Sequence, residues 1–172
     1  MPRTALGSTI GGAVVTNPST LQLEELAGVK FNIANEPLTN SGFGVGGTRG
    51  ALANWSGTNS FSGPIMIAGN TSMFVNSGSL DLSGVISGAT GLTNAKTGAG
   101  SLTYSGGASN TFAGTTIVDV GNLYLGKTGG AVAIAGPVQM GAGNANQPNL
   151  RMQQSNQFGP GVVMTFANTN GN

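Results

Sequence analysis

The sequence predicts an all-β chain wound as a solenoid of roughly seven coils, and three observations predict it. The first is a short internal repeat. Gly78-Ser79-Leu80-Asp81-Leu82-Ser83-Gly84 returns as Gly100-Ser101-Leu102-Thr103-Tyr104-Ser105-Gly106, sharing five of seven residues at an offset of 22. Gly121-Asn122-Leu123-Tyr124-Leu125 repeats the pattern 21 residues further on. The second is strict alternation of apolar residues at Leu21/Leu23, Val29/Phe31/Ile33, Leu80/Leu82, Leu102/Tyr104, Leu123/Leu125, Val132/Ile134, Val138/Met140 and Leu150/Met152. Period two is the signature of a strand with one buried face. The third is punctuation: each run is short and bounded by Gly, Asn, Ser or Pro, which supply the positive φ angles and side-chain turns that corners need.

Taken in order along the chain, Leu21 to Ala27 is the only helix candidate, and its Leu21-x-Leu23 alternation fits a strand equally well. Asn59-Ser60-Phe61-Ser62-Gly63 and Asn110-Thr111-Phe112-Ala113-Gly114 share an Asn-x-Phe-x-Gly signature, with a weaker copy at Asn156-Gln157-Phe158-Gly159-Pro160. Their spacings of 51 and 46 are each about two coils. Ile33-Ala34 with Pro37-Leu38 matches Ile134-Ala135 with Pro137-Val138, and Gly44 to Asn70 matches Ala142 to Asn168, which predicts a longer unit of about 100 residues. Equivalent residues on successive coils should stack about 4.8 Å apart, so seven coils make a rod of order 35 Å. A Gly-rich β-sandwich is the alternative, but it gives no reason for Gly-Ser-Leu to return at 22 residues. Residues 1–172 read as one solenoid segment with a repeat-bearing core over about 44–168.

Composition narrows the function. Of 172 residues only 6% are charged, with 38% hydrophobic and a net charge of +1, so charge-driven disorder is excluded. Arg3, Lys30, Arg49, Lys96, Lys127 and Arg151 are scattered singly, leaving no basic stripe for nucleic acid. The absence of His and Cys removes disulfides, thiolate and imidazole metal sites and the usual nucleophile–base pairs. No apolar run approaches a membrane helix, and 4–15 is too rich in Gly, Thr and Ser for a signal-peptide core. An export signal, if one is used, is expected outside these residues. The 13 residues after Gly159 are too few for even two spanning strands of a membrane barrel.

The stretch from Val85 to Gly126 resembles the passenger-associated transport repeat, or autotransporter-associated β-strand repeat, of giant bacterial surface proteins. The matching residues are Ile86-Ser87-Gly88, Gly91-Leu92, Lys96, Gly98, Gly100, Leu102, Ser105-Gly106, Asn110, Phe112, Gly114 to Ile117, Gly121 and Leu123. Tyr104 replaces an aliphatic residue, Phe112 a tyrosine, and Asn94-Ala95 is inserted before Lys96. The resemblance implies a right-handed parallel β-helix, extracellular or on a bacterial cell surface, used as a building and export element. It implies no activity and carries no site residue.

No catalytic, cofactor or metal residue is therefore expected. Glu24, Glu25, Glu36, Asp81 and Asp119 read as surface carboxylates, although a glycan-cleaving enzyme would need two of them across a cleft. Gly44 to Gly47 and Gly141 to Gly143 read as turns, not phosphate loops. Trp55 with Tyr104, and Phe61 with Phe112, fall at matching repeat positions and read as an aromatic stack; the sharper reading is a sugar platform. Asn54-Trp55-Ser56 and Asn70-Thr71-Ser72 fit the glycosylation acceptor pattern by chance. Three functions follow: a structural rod or fibre whose partner is a second copy or adjoining repeats of itself, the stalk of an autotransporter adhesin, and a β-helix that binds or cleaves a polysaccharide. Glycans or a cell surface are the further expected partners; nucleic acid and membrane insertion are not expected.

Overall fold

A strand that is apolar on one side only must bury that side, and a chain of such strands separated by tight corners does so by coiling around a shared interior. The computed structural model of the chain, which describes residues 11–142 and 147–167, is a parallel β-solenoid of about seven turns with three faces. The first face runs through β1 (Ala13–Val15), the start of β4 (Leu38–Gly42), the start of β7 (Ile65–Val75) and β9 (Ile86–Gly88). It continues without regular strands, through the bond from the Thr111 N–H to the Ile86 carbonyl (2.9 Å) and the Ile134–Phe158 bridge. The second face stacks β2 (Leu21–Glu24), β5 (Leu52–Ser56), the end of β7, β10 (Thr93–Thr97), β12 (Thr115–Val118), β14 (Val138–Met140) and β16 (Met164–Phe166). The third stacks β3 (Asn32–Ile33), β6 (Thr58–Phe61), β8 (Ser79–Leu82), β11 (Ser101–Tyr104), β13 (Asn122–Leu125) and β15 (Asn149–Met152). Every strand pair is parallel, and β7 bends across a corner so that its two halves serve two faces.

Inward positions form columns along the rod. Leu80, Leu102 and Leu123 are in register on successive coils and fully buried, as the 22- and 21-residue spacing predicts. A second column on the same face holds Phe61, Leu82, Tyr104 and Leu125. On the second face Leu52, Met73, Lys96, Val118, Met140 and Phe166 align. Corners approach too closely for a side chain: a Cβ on Gly84 would collide with the carbonyl of Gly63, one coil below. Leu21 to Glu24 is strand, and Val45–Gly47 is a single 3-10 turn. Gly143 and Asn168, at the ends of an expected turn and of the expected core, lie outside the described residues.

The longer period has a different meaning from the one expected. Ile33 lies at the end of the third face of the first coil, whereas Ile134 lies on the first face of the sixth. Leu52 sits on the second face and Leu150 on the third; Ile65 sits on the first and Val163 precedes β16 on the second. A step of about 100 residues therefore advances four coils and one face. The three faces have the same strand-and-corner grammar, so one sequence pattern fits whichever face it lands on.

Candidate functional site

The five acids do not converge. Glu24 ends β2, Glu25 follows it, Asp81 points outward from β8 and Asp119 follows β12, whereas Glu36, expected at the surface, is instead buried in the corner before β4. Apart from the neighbours Glu24 and Glu25 these places are on different coils, and among the described residues no cluster of three or more acids stands ready to hold a metal. Glu25 is occupied locally, its carboxylate accepting the Thr58 N–H at 3.3 Å.

Two of the singly scattered cations lie inside the rod. Lys96 is 1% exposed and Lys127 0%. Lys96 Nζ donates to the carbonyls of Thr97 (2.9 Å), Gly98 (2.6 Å) and Val120 (2.8 Å), so its three hydrogens find three acceptors at the corner after the second face. Burial pushes its pKa down to about 8, with Asp119 pulling the other way. Lys127 starts the corner after the third face and reaches back over two earlier coils, donating to Ser105 (2.8 Å) and Gly84 (3.2 Å). Burial lowers its pKa as well, opposed by Asp81. The coil above completes the fastening: the Gln157 amide accepts the Lys127 N–H and donates to the Lys127 carbonyl, both at 2.9 Å. An ammonium ion buried without partners would be very costly, and here the carbonyls of stacked corners replace its water. Lys96-Thr97-Gly98 and Lys127-Thr128-Gly129 carry the same tripeptide, a signal that composition counting passes over.

The aromatic pairings expected from the repeat are not formed. Trp55 faces outward from the second face, while Tyr104 is buried on the third, in the column of Phe61; Phe112 lies on the first face. Phe61 and Phe112 match because of a shared corner device, since Asn59 Oδ1 accepts the Phe31 N–H (2.7 Å) and Asn110 Oδ1 the Ile86 N–H (2.9 Å), each one coil below. No continuous sugar platform results: Tyr104, Phe61 and Phe112 are buried, and the Arg49 guanidinium covers Trp55 at 4.6 Å, with Phe74 beside it at 6.1 Å. Asn54 is buried, with its amide bonded to Gly57 and Ser77, and cannot accept a glycan as folded.

A concave surface opens at the end of the rod, among the described residues of the last two coils. A groove of about 330 Å3 is lined by Met140, Leu150, Met152, Phe158, Met164 and Phe166. Met152 is 64% and Phe166 72% exposed, although both stand in columns that are buried lower in the rod. Among the described residues its lining holds no charged side chain, and Asn149 is its one polar side chain. Comparison with protein-family models, with characterised proteins and with solved structures found no match.

Proposed function

We propose that the chain is a non-catalytic building segment of an extracellular or cell-surface rod, lengthened when another coil of the same kind covers its last one. The observation that carries this reading is the open groove at the end of otherwise unbroken core columns. Strands β15 and β16 add to it an edge of backbone hydrogen-bonding groups, the ready template for another parallel strand. At about 25 cal/mol per Å2, covering a few hundred Å2 of such apolar surface favours contact by several kcal/mol before association entropy is subtracted. With six positive and five negative groups there is little long-range repulsion to oppose it. The autotransporter-associated repeat pattern over 85–126 supports a bacterial surface setting, and the absence of His and Cys with five dispersed acids supports a role without catalysis.

Sedimentation of the purified chain at micromolar concentration tests it. Mass should rise above 16.9 kDa with concentration, and the pair Met152→Asp with Phe166→Asp should abolish the rise while leaving the β circular-dichroism spectrum intact. A wild-type chain that stays monomeric, with slow amide exchange in β15 and β16, would sink the reading.

A further inference from the structure

We propose that the rod binds one water molecule in its interior, where the fourth, fifth and sixth coils meet, with the Tyr104 hydroxyl as its hydrogen-bond donor. Tyr104 projects inward from the third face, and its hydroxyl accepts a hydrogen from Asn94 Nδ2 on the second face at 3.2 Å. A phenol is both acceptor and donor. The acceptor side is used, while the hydroxyl proton reaches no protein acceptor among the hydrogen bonds of the described residues. Burial drives the pKa of Tyr104 upward, so that proton stays on.

Beside it lies a cavity of about 10 Å3, lined by Asn94, Tyr104, Asn110 and Thr116 together with Ile86, Ile134 and their apolar neighbours. That is room for one water and no more. Cavities that stay dry are apolar, whereas four of these side chains are polar and all four are buried. Asn110 is committed elsewhere, accepting from the Ile86 N–H and donating to the Ala133 carbonyl at 2.8 Å. Thr116 adds a second hydroxyl-bearing side chain to the wall. Asn94 Oδ1 is buried with no partner of its own, so the cluster is short of hydrogen bonds on more than one side. Turning the Asn94 amide would let Oδ1 take the Tyr104 proton, but it would also set an oxygen lone pair against the Met73 sulfur, which now lies 3.9 Å from Nδ2. The present orientation avoids that contact and leaves the phenol proton for water.

The experiment is water-to-protein cross-relaxation by NMR on the full chain, reading the Ile86 and Ile134 methyl groups. Cross-peaks of the sign that marks a long-lived water are expected in the wild type and in Thr116→Val, and their loss is expected in Tyr104→Phe. Absence of cross-peaks in the wild type, or shifts of the same methyls on adding xenon, would show a dry cavity and overturn the site. Cross-peaks that persist in Tyr104→Phe, or vanish in Thr116→Val, would overturn Tyr104 as the holder. If Tyr104→Phe does not fold, the wild-type and Thr116→Val spectra still decide. The outcome does not depend on whether the rod assembles.

Discussion

Strands β13 and β15, Asn-Leu-Tyr-Leu and Asn-Leu-Arg-Met, share their first two residues and an apolar fourth and lie in register on one face, yet they live in different solvents. Leu123 and Leu125 are fully buried because β11 lies below them and β15 above. Leu150 is only partly buried and Met152 is open. The difference lies wholly in the number of neighbours. The two ends of the described rod differ although their strands each have one paired neighbour: Val15, Leu23 and Ile33 in the first coil, with the second coil stacked after them, are buried, whereas Met152, Met164 and Phe166 in the last two coils are exposed. In a solenoid, core is a property of position in the stack, and an alternating strand acquires its burial from the coil that follows it.

The comparison is broken most severely by placing a charge at register partners. Leu125→Asp, like Leu102→Asp, should unfold the rod, since an unpaired buried carboxylate costs several kcal/mol, whereas Met152→Asp should stay within about 0.5 kcal/mol of wild type in urea titration. Equal losses at both positions would mean that Met152 is covered in solution. Glycines sharpen the point next. Gly84→Ala drives a methyl into the Gly63 carbonyl and should cost several kcal/mol, while Gly129→Ala, with φ 65 and open space around it, should cost about 1 kcal/mol from backbone strain alone.

The smallest effect is a pH profile of the central coils. Folded Lys96 releases its proton at about 8 and the unfolded chain at 10.5, so the unfolded state binds more protons between those values and stability rises with pH across that window. Lys127 acts in the same direction. Tyr104 acts oppositely: its folded pKa is raised above 10.0, so stability falls once the unfolded phenol ionises. Urea midpoints should therefore peak near pH 10. Lys96→Met should flatten the rising limb and Tyr104→Phe the falling one. A profile unchanged by Lys96→Met would show that another group sets it.

The coil length, the all-β class and the Leu80–Leu102–Leu123 column were legible because alternation and repeat spacing are local and survive substitution. The face on which each segment lies was not. Ile33 and Ile134 look equivalent because all three faces demand the same pattern, and only the sum of the intervening corner lengths decides which face is reached. The buried lysines were hidden for another reason: their acceptors are carbonyls of other coils, and a carbonyl has no letter in a sequence. The open groove was equally silent, since Met152 is spelled like a core residue.

The direction of the inter-coil hydrogen bonds has a mechanical consequence. They run along the rod, so a pull on its two ends loads them in tension and not in shear, and the outermost coil peels first. Each detached coil would release about 22 residues, roughly 75 Å of slack at ~3.4 Å per residue. Under a steady pull the rod should yield in a series of low, evenly spaced steps, lengthening gradually where a shear-loaded sandwich would hold and then fail at once. The two lysine fastenings tie Gly84, Ser105 and Val120 to their neighbours. They place the most resistant steps in the middle of the rod, after both ends have begun to give.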